Sequence, residues 1–156
     1  MLRPLLIALL LSLVSAPVFA KITAEQSVEK EITVRNANGE EAVKRVKAEK
    51  VVPGEEVIYS LRFSNDAADA ADAIVLVMPV PPEVSYVEGT VAGEDANITF
   101  SADGGQTYVA RGRLTVAEEG VERPAKSNEI THIKWTLDNP LPARAKSEVS
   151  FRAILK

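Results

Sequence analysis

Four sets of residues in this chain have types and spacings that could do chemistry. Asp66, Asp69 and Asp72 stand three apart among alanines, and carboxylates on one loop could gather around calcium, which takes about six to eight oxygen ligands. No glycine or second acidic cluster completes such a loop, and Ala67, Ala68, Ala70 and Ala71 add only backbone carbonyls. These three aspartates are therefore read as solvated loop carboxylates, with no metal, and as a candidate docking patch for a protein partner. His132 is the single histidine, so any Ser-His-Asp device would have to use it. No Gly-x-Ser-x-Gly elbow supplies a nucleophile, and without cysteine or a second histidine no zinc set can be assembled. Trp135, with Tyr86 and Tyr108, could stack against a sugar ring.

The fourth set runs from Ser101 through Asp103, Gly104, Gly105 and Thr107 to Tyr108. It fits Ser-x-Asp-x-Gly-x-Thr-aromatic and is similar to the hairpin turns of sialidase-type propeller blades. The physics is that of a turn: Asp103 accepts backbone N–H groups, the glycines supply positive φ, and Thr107 ties down the returning chain. A propeller needs at least about four blades, and one copy is present. The motif is a hairpin lock. With no nucleophile and base to pair, the chain is expected not to be an enzyme and to carry no cofactor.

The elements that must position these residues are strands. The most ordered stretch is Val51 to Thr90: a Pro53-Gly54 turn, an alternating strand, a polar loop and an apolar run ending in prolines. Within Glu56–Asn65, Val57, Tyr59, Leu61 and Phe63 share one face, and Glu56, Ser60, Arg62 and Ser64 the other. Ile74 to Met78 is continuously apolar, the pattern of a strand covered on both faces or crowded by neighbours, and Pro79, Pro81 and Pro82 end it. Short strands are expected at Val84–Val87 and from Ile98. A return strand should carry Tyr108, Ala110, Gly112, Leu114 and Val116 inward. Ala117 to Glu129 reads as loop. His132, Lys134 and Thr136 then alternate with inward Ile133, Trp135 and Leu137, and the final strand buries Val149, Phe151, Ala153 and Leu155. Upstream, Asn38-Gly39 marks a turn between an alternating segment and Glu40–Val52, whose charges suit an edge strand; a helix over Glu40–Lys50 is the competing reading, since Glu, Ala and Lys favour helix. About seven to nine short strands without an amphipathic helix specify an all-β, immunoglobulin-like antiparallel β-sandwich.

The first twenty residues read as an export signal: Arg3, an apolar run from Leu5 to Val14, and small residues before a cut between Ala20 and Lys21. Residues 21–156 then form one β-sandwich domain, with 21–50 either packed into it or standing apart as a hairpin. Once the signal is removed, no stretch is long enough to insert stably in a membrane. The formal charge of −4 includes Arg3, and a mildly acidic chain excludes nucleic acid, which needs a concentrated basic face. The destination is periplasmic or secreted.

Gly54, Tyr59, Asn65, Pro79 and Trp135, in this order within about 50–156, resemble the bacterial cell-envelope repeat catalogued as domain of unknown function eleven. Its pattern is a glycine turn, a Tyr-x-hydrophobic-x-hydrophobic-x-Asn strand, an Asp-x-Leu-Pro run, a tryptophan and a late glycine. Here Val77 and Met78 precede Pro79 where that family has its acidic residue, and Ala143-Arg144 stands near its late glycine. The resemblance implies an extracytoplasmic immunoglobulin-like fold and brings no catalytic residues. The expected function is a non-enzymatic structural or docking module meeting a protein of the bacterial cell envelope, at the loop end formed by Asp66–Asp72 and Pro79–Pro82. A cell-wall or surface polysaccharide-binding module, contacting through Trp135, Tyr108 and Tyr86, is the alternative.

Overall fold

A computed structural model describes residues 21–156; the export signal expected over 1–20 lies outside the described residues. The alternating stretch at Glu56–Asn65 is β3, the middle strand of a five-stranded sheet. Around it lie β1 (Ile22–Arg35), β2 (Glu41–Lys47), β5 (Val84–Tyr86) and β10 (Lys146–Leu155), in the order β2-β1-β3-β10-β5. The facing sheet has three strands, β4 (Val75–Pro79), β9 (His132–Leu137) and β6 (Ala96–Ser101), in the order β4-β9-β6. From β3 to β6 the chain alternates between the two sheets, and every pairing is antiparallel. The fold is an all-β sandwich, as the alternation predicts.

Its core is made by the inward residues of both sheets. Tyr59 stacks on Phe151 with ring centroids 5.0 Å apart, and Tyr86 meets the same ring edge-on at 6.4 Å. Trp135 is wholly enclosed and donates its Nε1–H to the Ala92 carbonyl at 3.1 Å, which satisfies its one polar group. Gly93 lets the backbone pass this close: a Cβ there would lie 2.8 Å from the indole Cδ1.

Three expectations need correction. The apolar run at Ile74–Met78 is not covered on both faces. Leu76 and Met78 are buried, but Val75 and Val77 are 53% and 44% exposed on the outer side of an edge strand. The expected return strand does not form either. Val109 makes one bridge to Phe100, then a turn of 3-10 helix takes Arg111–Arg113, so Leu114 is buried while Tyr108 is half-exposed. Finally, the segment read as loop holds a hairpin, β7 (Thr115–Glu118) with β8 (Val121–Pro124). Its two turn residues, Glu119 and Gly120, both have positive φ (52° and 82°), the arrangement that suits a tight two-residue hairpin.

Residues 21–50 prove to be both part of the sandwich and an arm. Strand β1 pairs with β3 from Ile22 to Glu29, then with β2 from Glu29 to Arg35. Arg45 on β2 nevertheless reaches Glu148 on β10 at 3.2 Å. In a flat sheet those strands would lie three spacings, about 14 Å, apart before any offset along the strands. The β1–β2 arm must therefore curl over the outer face of the larger sheet. Beneath it Ile58 and Ser60 are buried although they point away from the core.

Candidate functional site

The aspartate loop leaves β3 through Asn65, which is fully buried. Its Nδ2 donates to the carbonyls of Asp69, Leu141 and Pro142 at 2.7, 3.0 and 3.2 Å, and its Oδ1 accepts the Ala67 N–H at 3.1 Å. One amide thus holds the loop against the β9–β10 connection, where Ala71 also bridges Leu141. Asp66 does not face solvent freely. Its carboxylate accepts from the hydroxyls of Thr23 and Ser64, each at 2.9 Å. The Thr23 hydroxyl first, and then that of Ser64, hold the carboxyl below the usual range. Asp69 and Asp72 remain exposed. The three are not brought together: among the described residues no group of three metal-ligating side chains converges.

The expected docking end is also divided. Strand β3 ends at Asn65 beside Lys146, and β4 runs back toward the end where Val84 pairs with Leu155. Asp66–Asp72 precedes β4, and Pro79–Pro82 starts at its last residue. A five-residue strand spans about 17 Å, so the two loops occupy opposite ends of the sandwich. The proline loop borders a groove of about 490 Å³ with Ile130, Thr131 and His132. His132 lies on the outer side of its strand, half-buried, with Nδ1 3.1 Å from the Thr131 hydroxyl.

The hairpin motif is built as its residues predict. Asp103 accepts from the Ser101 and Thr107 hydroxyls at 2.6 Å each and from the Gln106 and Thr107 N–H groups at 3.0 Å. The Ser101 hydroxyl, then Thr107, drive its carboxyl far below the ordinary value. Gly104 and Gly105 take φ of 77° and 87°. The Asp103 carboxylate is spent on the turn, and the Gly104 N–H and Ser101 carbonyl tie the turn to Thr131. The stacking residues are likewise committed: Trp135 and Tyr86 are inside the core, and Tyr108 carries the Lys134 ammonium 4.2 Å above its ring.

What single residues did not announce is the charge lattice on the outer face of the larger sheet. Arg62 of β3 bridges Glu29 of β1 at 2.7 Å and Glu148 of β10 at 2.8 Å. Arg152 of β10 bridges Glu31 at 2.8 Å and Glu56 at 2.7 Å, and Arg45 joins Glu31 and Glu148. The signal was present in the outward parity of Glu29, Glu31, Arg62 and Arg152, and became a lattice only once the strand register was known. Ser27, Ser60 and Ser150 lie directly opposite one another between the charged rows. Arg62 crosses this low row to reach Ser27 and Glu29.

No family model matches the chain, and no curated protein or solved structure matches it. No helix among the described residues is long and apolar enough to cross a membrane.

Proposed function

We propose that this chain is an exported, non-enzymatic immunoglobulin-like module that works by contact with another protein of the bacterial cell envelope, as its resemblance to the domain-of-unknown-function-eleven repeat suggests. The observation that carries this reading is the open side of β4. The strand pairs with β9 alone among the described residues, and it presents Val75 and Val77 outward. The exposed Asp69 and Asp72 lead directly into it. A partner strand added along this edge would gain main-chain hydrogen bonds, the valines would give it apolar contact, and the aspartates would set its register. Asp66 belongs to the fold rather than to this surface. The polysaccharide reading loses two of its three contacts, because enclosed Trp135 and Tyr86 offer no ring face.

The test is in-cell cross-linking of the tagged protein, with recovered proteins identified by mass. One envelope protein should be recovered from the parent. Yield should fall at least about tenfold with Val77→Lys, which places a charge on the pairing edge, and less with Asp69→Asn plus Asp72→Asn. Recovery that is indifferent to Val77→Lys removes the β4 edge. Retention on purified cell wall with no protein captured would overturn the protein-contact reading.

A further inference from the structure

The β1–β2 arm is fastened to the body by charges. Val28 and Ala48 at its base touch the core, whereas Ile32, Val34, Val43 and Val46 lie outside the core cluster, and Val43 is 67% exposed. The fastening consists of Glu31 with Arg152, Arg45 with Glu148, and Glu29 with Arg62. Lys30 adds a pair to Glu55 at 3.7 Å and a bond to the Lys50 carbonyl at 2.9 Å. The charged groups facing these pairs are Lys47 opposite Glu29 on the arm, Glu25 opposite Arg62 on β1, Glu56 on β3, and both Glu148 and Arg152 on β10. Half of the side chains in these pairs keep a third or more of their surface in water, with Glu29 the driest at 13%, and pairs exposed in this way stabilise little.

The closed arm also carries a burden. Glu29 Oε2 and Ser60 Oγ are sealed from solvent and have no hydrogen-bond partner, a cost that water would relieve. Closure is favoured by these weak pairs and by the cover of one apolar side chain, Ile58, and opposed by the dry polar atoms, so the contact is close to balance. Small changes in charge can then move it.

We propose that the β1–β2 arm is an acid-released strap, closed over Ile58 and Ser60 of β3 at neutral pH, and lifted about Glu29–Lys30 and Ala48–Lys50 when Glu31, the carboxylate that Arg152 and Arg45 share, takes up a proton. The sandwich stays folded as this happens. The sign follows from linkage. The hydrogen bond from Arg152 holds the Glu31 carboxyl below its usual value in the closed state, so the closed arm binds protons less readily than the open one. Closure is therefore fully present above the ordinary glutamate pKa of about 4.3 and is lost as pH falls through the lower, closed-state value. Between the sheets, burial raises the Tyr59 and Tyr86 hydroxyls above their ordinary values. Both stay neutral throughout the acid range, so neither ring between the sheets changes charge as the strap lifts.

The chain contains no cysteine, so two introduced thiols can carry a spin-label pair. With Val43→Cys on the arm and Lys146→Cys on the body, one narrow distance is expected at pH 7. A longer, broader distribution should replace it in acid while Trp135 emission stays native. Adding Arg152→Gln should lift the arm already at pH 7, and Glu31→Gln reads the same step if that variant fails to fold. The strap is overturned if the distance holds until Trp135 reports global unfolding, or if a folded Arg152→Gln or Glu31→Gln protein keeps the closed distance at pH 7.

Discussion

The two faces of the larger sheet are held by opposite physics. Its inner face meets the smaller sheet through Phe151, Trp135, Ile133 and Val149, all of them almost fully enclosed, with polar groups such as the Trp135 N–H satisfied. Its outer face meets the arm through half-wet guanidinium–carboxylate pairs and leaves buried oxygen atoms without partners. Apolar contact there requires close fit and tolerates no change of spacing. Ion pairs tolerate movement and respond to pH and salt. One side of the sheet fixes the fold, and the other is adjustable.

The largest effect should come from emptying the inner face. Phe151→Ala removes a ring that both Tyr59 and Tyr86 pack against and should cost about 3–5 kcal/mol in urea unfolding. That is a large part of the roughly 5–15 kcal/mol that holds a typical domain together. A loss under about 1 kcal/mol would mean that the two faces do not differ as described. Asn65→Ala should come next. It strands the carbonyls of Asp69, Leu141 and Pro142 and the Ala67 N–H, at a cost of about 1–3 kcal/mol. Asn65→Asp should be worse at neutral pH, because it turns a carboxylate toward three carbonyl oxygens. Hydrogen exchange should place the damage in residues 66–74 and 139–145 while Trp135 stays native.

The inner face was legible in the sequence because period two maps directly onto in and out: Val57 and Phe63, Ile133 and Trp135, Val149 and Phe151 all fall on the predicted side. The hairpin lock was legible because the bonds to its Asp103 carboxylate all come from within four positions. Contacts between distant strands were not. Ser60 is a solvent-facing residue by parity, yet it is buried on the outer face, where Arg62 crosses its row to reach Ser27 and Glu29. The valines of β4 look like core until the strand order places them on an outer edge. The two loops joined into one docking end have opposite addresses because a strand separates them. Asn65 was visible as the asparagine that closes the alternating stretch of β3, yet its reach to Leu141 and Pro142, 76 and 77 positions away, belongs to topology.

The smallest effect sharpens the comparison most. Arg45 and Glu148 meet across the arm at 3.2 Å, with side chains 42% and 32% exposed. A double-mutant cycle with Arg45→Gln and Glu148→Gln should yield a coupling of less than about 1 kcal/mol at low salt. The coupling should vanish near 1 M salt, where the screening length falls to about 3 Å. The Phe151→Ala penalty, being apolar, should not shrink in parallel. Glu148 also bonds Arg62 at 2.8 Å, so its single replacement loosens two pairs, and the cycle is needed to isolate the one that belongs to the arm. A coupling above about 2 kcal/mol that persists in salt would make the outer face as rigid as the core. The arm would then be a third layer of the fold and no strap.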